Sequence, residues 1–344
     1  MNKSEKLLSA FADMYFFKEL VYDDLCFIPE NDTEKELADL VVNLEDYILA
    51  IQLKSRNKTD QTNEVIAENK WLQRVTKHAK RQVKKSMDYI QSGTLPKFKN
   101  KRGQTIEFDK TAEIISLVVF ENSFIKEYHH ILKKHSDDGI TINCISFDDF
   151  KEMCRVLFTP MEILSYLEYR NEMFENNGEV DISIFEGSNG ETIITKPTHN
   201  ESLVYQFLTE KYGYSKSKSI EKELDFFQLF LQQLPNHTVV QSQKNASYEI
   251  VLFLAHMERD EIELFVKYLD DTRKKARGRK SKIIHSLRHK IKKYAIVFVT
   301  NSFFDMKFLN DFISKKANVK AILQVLVYWE SKDVFRIDFL YHKN

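Results

Sequence analysis

Residues 36–56, ELADLVVNLEDYILAIQLKSR, decide the fold. Leu, Ile and Val crowd both ends of this stretch and Glu45-Asp46 interrupts them, so it reads as two strands joined by a tight turn. The second strand is apolar on both faces. Tyr47, Leu49, Ile51 and Leu53 alternate with Ile48 and Ala50, the pattern of a central strand covered from both sides. Three polar residues stand out against this background. Alternation puts Asp39 on the face of Leu37 and Val41, and puts Gln52 and Lys54 together on the face of Ile48 and Ala50. An ionised Asp or Lys left unpaired in such surroundings is costly, so the fold must supply partners, a bound divalent cation among them.

Upstream, residues 4–20 read as an amphipathic helix with Ser4 as N-cap and Leu7, Phe11, Met14 and Tyr15 at helical spacing. Downstream, residues 64–92 form the longest helical pattern, with Leu72, Val75, Ala79, Val83, Met87 and Ile90 on one face and Gly93 at the C-terminal cap. A basic loop, Pro96 to Arg102, leads to strands at Glu113–Phe120 and Ile140–Ser146. Helices then open at Ser146 and at Thr159, where Pro160 takes the first helical position and Glu162 completes a capping box. Gly and Asn between Asn176 and Asn200, including Ser188-Asn189-Gly190, predict a hairpin and a domain boundary.

The expected organisation is therefore α/β throughout: a first domain over residues 1–176 with a mixed sheet flanked by helices, a hairpin linker over 177–200, and a second α/β domain over 201–344. In the second domain we expect helices near 201–212 and 220–233 and strands at 248–255, 294–300, 320–329 and 334–341, with a basic helical stretch between the first two strands.

Charge is segregated. The chain carries 51 Lys+Arg against 51 Asp+Glu, so no global bias toward a polyanion exists and any such bias is local. Lys70, Arg74, Lys77, Arg81 and Lys84 recur three or four residues apart on the long helix, the row that contact with a phosphate backbone needs. A second basic cluster runs from Arg273 to Lys293. With 43% hydrophobic residues the chain has material for a substantial core, and 8 Gly and 5 Pro exclude collagen-like or linker-dominated architecture. Three cysteines without a Cys-x-x-Cys pair argue against a disulfide framework or a zinc knuckle and for the cytoplasm. No apolar run is long enough to span a membrane and no signal-peptide pattern opens the chain. There is no P-loop, dinucleotide fingerprint, Gly-x-Ser-x-Gly or His-Glu-x-x-His.

A carboxylate on one strand of a hairpin, followed by a polar acceptor and a lysine two residues apart on the next, suits metal-dependent phosphodiester hydrolysis. Asp39 with Gln52-Leu53-Lys54 resembles the PD-(D/E)xK nuclease superfamily, in its Mrr-like branch where Gln replaces the acidic residue of the second motif. The resemblance covers residues 4–155 and implies a restriction-endonuclease-like core. It implies that Asp39 binds Mg²⁺ or Mn²⁺, that Gln52 and the main-chain carbonyl of Leu53 complete the metal site, and that Lys54 is the catalytic lysine. Glu19 and Glu36 are then candidate accessory carboxylates, and Gln82 a helix residue facing the site. The implied activity is endonucleolytic cleavage of DNA, leaving a 5′-phosphate and a 3′-hydroxyl, in restriction or antiviral defence. Cutting both strands of a duplex would favour a homodimer, and the second domain would recognise substrate, a protein partner or a signal. Three alternatives stay open: a nuclease-fold module that binds nucleic acid without cutting it, a scaffold whose basic clusters meet an acidic protein, and a structural hairpin on which Lys54 snorkels to solvent.

Overall fold

The structure is a computed structural model that describes residues 3–23, 25–29, 33–56, 58–62, 64–122, 132–135, 141–177, 184–186, 192–194, 200–213, 226–227, 230, 238–240, 246–278, 280–289, 294–305, 307–309, 319–331 and 334–343. The chain divides into two units, Met1–Tyr214 and Ser215–Asn344.

The first unit opens with α1 (Lys3–Tyr15), β1 (Val21–Tyr22) and a two-strand ribbon of β2 (Cys26–Phe27) and β3 (Lys35–Glu36). The hairpin that decides the fold follows as β4 (Leu40–Asn43) and β5 (Tyr47–Ser55), antiparallel with Leu40 opposite Ile51. Its turn closes where two acidic residues interrupt the apolar run: Asn43 Oδ1 accepts from the Glu45 N–H at 2.9 Å, and Glu45 takes the left-handed conformation with φ 65°. Then come α2 (Val65–Ser92), a small ribbon of β6 (Phe98–Lys99) with β7 (Thr105–Ile106), β8 (Glu113–Glu121), β9 (Leu132–His135), β10 (Thr141–Ser146), α3 (Phe147–Val156) and α4 (Pro160–Asn177). A hairpin of β11 (Ile184–Glu186) and β12 (Thr192–Ile194) precedes α5 (Asn200–Tyr212). The Ser188-Asn189-Gly190 turn lies outside the described residues.

Strand order in the main sheet is β1-β4-β5-β8-β10-β9. β5 pairs in parallel with β8, and β8 with β10, while the outer pairs are antiparallel, so the sheet is mixed. Between β5 and β8 the chain passes through α2, the crossover a parallel pair requires. Helices cover both faces. On one, Val118, Phe120 and Cys144 pack against Trp71, Leu72, Ala79 and Val83 of α2. On the other, Asn143 of β10 donates to the Leu167 carbonyl of α4, and Phe150 of α3 stacks on Phe16. β5 is buried from Ile48 to Leu53, as expected of a central strand.

The helix boundaries read from the sequence at Gly93, Ser146 and Thr159 are present, whereas Ser4, expected as the N-cap of the opening helix, lies inside α1. Gly93 closes α2 with φ 67°, and Ser146 caps α3 by accepting from Asp149 N–H at 3.0 Å. Thr159 Oγ1 accepts from Glu162 N–H, and Glu162 reaches back to the Phe158 N–H at 2.7 Å, one residue earlier than a standard capping box.

Four further expectations need correction. The opening helix ends at Tyr15 rather than near 20, because Phe17 turns into the left-handed region with φ 64°. The division between units follows Tyr214 rather than falling within 177–200, since α5 belongs with α3 and α4 through Phe207 against Tyr166 and Glu210 against Tyr169. In the second unit residues 248–255 are not a strand but most of helix α6 (Ala246–Ala255). The basic stretch is only partly helical: α7 (Arg259–Ala276) is followed by strand β14 (Lys282–His289).

The second unit's sheet contains β13 (Thr238–Val240), β14, β15 (Tyr294–Thr300), β16 (Ala321–Ser331) and β17 (Val334–Lys343) in the order β13-β17-β16-β15-β14. α7 packs on it through Phe265, which meets Phe298 of β15 at 5.2 Å. The helix expected at 220–233 lies largely outside the described residues. Among the described residues no helix is long and apolar enough to cross a membrane.

Candidate active site

β5 carries Gln52 and Lys54 on the face that α2 covers. Gln52 is opposite Val118 and Lys54 opposite Phe120, and both partners pack against α2. Asp39 sits at a bend immediately before β4 rather than within a strand. The antiparallel register nevertheless brings it to the same end of β5, and its Oδ2 accepts the Leu53 N–H at 2.6 Å. Lys54 Nζ lies 3.8 Å from that oxygen and donates to Gln52 Oε1 at 3.3 Å. Asp39, Gln52 and Lys54 therefore form one cluster. Gln52 is 3% exposed, while the Asp39 and Lys54 side chains are 10% and 16% exposed.

Burial pushes the Asp39 carboxyl above the ordinary carboxylate range; the Lys54 ammonium and the Leu53 N–H oppose the shift, and the charge of Glu5 adds to it. Glu5 is the acidic residue that sequence reasoning missed. It lies in the first turn of α1, and its neighbour Ser4 donates to Glu121 Oε2 at 2.7 Å, the same oxygen that receives Ser55 Oγ at 3.2 Å. The start of α1 thus adjoins the ends of β5 and β8. A helix starting at residue 4 was legible, but which of its carboxylates would approach Asp39 was not.

The two accessory carboxylates expected from the sequence are placed elsewhere. Glu19 lies beyond the end of α1 and binds Arg102 Nε at 2.9 Å. Glu36 is exposed on the β2–β3 ribbon, opposite Cys26. Gln82 is partly buried on α2, and its Oε1 has no hydrogen-bond partner among the described residues. One turn further on, the Ser86 hydroxyl donates to the Leu37 carbonyl, two residues before Asp39, which ties this part of α2 to the segment carrying the acid.

The chain beyond Lys54 is fastened by a buried charge. Glu68 of α2 is fully buried and accepts from the Thr62 N–H at 2.9 Å, from Asn122 Nδ2 at 2.6 Å and from Arg56 Nε at 3.3 Å. Burial alone would raise its carboxyl; the Thr62, Asn122 and Arg56 donors together hold it below the ordinary value. Arg56 also lies 5.7 Å from the centre of the Trp71 ring.

Lys70, Arg74, Lys77, Arg81 and Lys84 are all exposed. No ion pair engages Lys70, Arg74, Lys77 or Arg81 among the described residues. From Lys70 to Lys84 the row runs about 21 Å at the helical rise of about 1.5 Å per residue. Three of the four cations in the basic loop that follows are instead paired: Lys101 binds Asp13 and Asp23, Arg102 binds Glu19, and Lys97 binds Glu107. In the second cluster Arg273 and Lys274 bind Asp270, and Lys275 binds Asp271; Arg279, Lys290, Lys292 and Lys293 lie outside the described residues.

Among the described residues no three His, Cys, Asp or Glu side chains form a group that could hold a metal ion. The cluster offers one carboxylate and one amide oxygen, both already within reach of Lys54. Mg²⁺ commonly binds through one or two carboxylates together with water and substrate phosphates. The donor set therefore fits a cation shared with a phosphate ligand and does not fit an all-protein cage. No protein-family model, curated protein or solved structure matches this chain.

Proposed function

We propose that the chain is a metal-dependent nuclease that hydrolyses phosphodiester bonds of DNA, built on a restriction-endonuclease-like first unit of the PD-(D/E)xK type. The observation that carries the proposal is the convergence of Asp39, Gln52 and Lys54 at one end of a buried central strand. The run β1-β4-β5-β8, with an antiparallel hairpin, a helical crossover and a parallel neighbour, supports it as the scaffold such a site needs.

Asp39 and Gln52, with the Leu53 carbonyl, would hold Mg²⁺ or Mn²⁺, and Glu5 would supply the second negative charge that Gln52 lacks. When bound, the cation polarises the scissile phosphate and lowers the pKa of water. Lys54 would orient the attacking water and offset charge developing on phosphorus. The exposed row on α2 would bind backbone phosphates on the same side of the sheet as Gln52 and Lys54. Cleavage of both strands would call for a homodimer, and restriction or antiviral defence in the cytoplasm is the setting we propose. The second unit would then recognise substrate, a protein partner or a signal.

A second reading has its own support. The three side chains already satisfy one another, and among the described residues no three-ligand metal group accompanies them, so the first unit would also serve as a catalytically inactive nucleic-acid-binding module. Supercoiled plasmid incubated with Mn²⁺ separates the two. We expect nicking or linearisation that falls by about 100-fold or more in Lys54→Ala, together with calorimetric Mn²⁺ binding that Asp39→Ala abolishes. DNA binding that is indifferent to metal and to Asp39→Ala, with intact plasmid at every salt concentration, would establish the binding module.

A further inference from the structure

The sheet of the second unit ends on β14, and among the described residues no strand pairs with its outer side. Alternate residues of an antiparallel strand turn their N–H and C=O groups away from the neighbour, so this edge of 8 residues is a template for one more strand. The edge is charged, and with one sign. From Thr272 to Phe304 the chain has no acidic residue. Lys280 and Lys282 stand at one end of the strand and Arg288 at the other, all three exposed and none in an ion pair among the described residues.

The middle of the strand carries no free charge. Ile283, Ile284 and Ser286 are half-buried and Leu287 is buried, while His285 is engaged by Asp271 at 2.5 Å and by the Tyr268 ring at 4.1 Å. A register shift between Ile283 and His285 puts Lys282 opposite Thr300, on the sheet face where Phe298 meets α7, and Arg288 opposite Ala295, on the other face. Cations on both faces thus bracket an uncharged centre.

Three kinds of occupant answer this edge unequally. A second copy of the chain would set Lys282 against Arg288 in centred antiparallel pairing and against its own image in parallel pairing, and like charges directly opposite one another are unfavourable. Cations on an edge deter self-pairing in this way and leave it open to a strand of opposite charge. A nucleic acid would meet the cations and leave the outward main-chain groups unmatched. An extended peptide with acidic residues at both ends meets both.

We propose that β14 docks an extended segment of another protein as an added strand, its acidic ends against Lys282 and Arg288. The inference uses residues of the second unit alone and stands or falls independently of the nuclease reading.

The test is titration of the full chain with a fluorescein-labelled peptide, Glu-Glu-Thr-Val-Thr-Val-Glu-Glu, followed by anisotropy and by amide hydrogen exchange. We expect binding that slows exchange within β14. Methylating every backbone nitrogen between the outer glutamates keeps the charge and removes the strand donors, and should weaken binding at least about tenfold. Lys282→Gln with Arg288→Gln should weaken it by a similar factor, about tenfold. Lys282→Glu with Arg288→Glu should reverse the preference, so that the same peptide with Lys in place of each Glu binds instead. Circular dichroism establishes that each variant is folded. Absence of binding to the folded chain, or equal binding of the methylated peptide, would overturn the proposal. Tighter binding of an oligothymidylate of the same charge would overturn it in favour of nucleic acid, and β14 exchange that slows with protein concentration alone in favour of a second copy.

Discussion

The two units share a motif and use it differently. In the first, antiparallel β4 and β5 are followed by β8, parallel to β5; in the second, antiparallel β14 and β15 are followed by β16, parallel to β15. At the end of β15 the polar side chains are spent on backbone. Thr300 Oγ1 accepts from the Lys282 N–H at 3.0 Å and donates to the Lys280 carbonyl at 2.6 Å, and Asn301 donates to the Ala276 carbonyl at 3.1 Å. Buried Gln324 on β16 accepts from the Phe304 N–H and donates to the Phe304 carbonyl, both at 3.0 Å. At the end of β5 one backbone donor, the Leu53 N–H, meets Asp39, but the remaining contacts join side chains: buried Gln52 meets Lys54, Lys54 meets Asp39, and Arg56 meets Glu68. A strand end whose polar groups close on backbone is a finished structural joint. One whose polar groups close on other side chains keeps groups that can be redirected to a ligand, and that is why we place chemistry in the first unit and not at the corresponding point of the second.

Four perturbations test this contrast, the largest first. Removing Glu68 should be the most damaging, since it takes away the counter-ion of half-buried Arg56 and the acceptor of the Thr62 and Asn122 donors: Glu68→Ala should cost about 3 kcal/mol in urea unfolding. Because the Glu68 carboxyl is held below its ordinary value in the folded chain, its contribution is present above the ordinary glutamate range and lost as pH falls through the depressed value. Glu68→Gln should flatten that acid limb, and an unchanged limb would show that side-chain charge does not fasten this end of β5.

The buried glutamines come next. Gln324→Leu should cost about 1–3 kcal/mol, because it orphans backbone groups of Phe304. Gln52→Leu orphans no backbone group and should stay within about 1 kcal/mol of the wild type, while abolishing Mn²⁺-dependent cleavage. Equal destabilisation by the two would erase the distinction. A smaller effect is expected on the α2 row. Each of Arg74→Ala, Lys77→Ala and Arg81→Ala should lower the slope of log affinity for DNA against log salt by about 0.9. Lys275→Ala, whose ammonium is already paired with Asp271 in the second unit, should leave the slope unchanged. The smallest effect is at Asp39. A carboxyl raised by burial binds its proton more readily folded than unfolded, so stability falls as pH rises from the ordinary carboxylate range through the raised value. In EDTA, Asp39→Asn should therefore unfold later than the wild type at neutral pH, the difference closing in acid.

What the sequence disclosed follows from how local each signal is. The β4–β5 hairpin and α2 were legible because each carries its own pattern, a continuous apolar run broken once and a long stripe closed by Gly93. The segment Tyr248–Ala255 was not, since an apolar run buried all round has no period to separate helix from strand. His285, expected on a helix, lies on β14, stacked 4.1 Å from Tyr268 with Asp271 at 2.5 Å, because α7 ends at Ala276. Asp39, Gln52 and Lys54 could be grouped from strand pairing alone. The partners of the basic loop could not: Arg102 finds Glu19 and Lys101 finds Asp13 across more than 80 residues of chain, and nothing local announces such meetings.

The distribution of thiols gives the molecule a built-in handle. Cys144 and Cys154 are buried and burial holds the Cys154 thiol well above its usual range, whereas Cys26 is exposed. Its strand partner is Glu36, three residues ahead of Asp39. A maleimide dye or nitroxide added to the native chain would thus settle on one position, beside the segment that delivers the acid, and would report on that segment's movement without a single engineered cysteine.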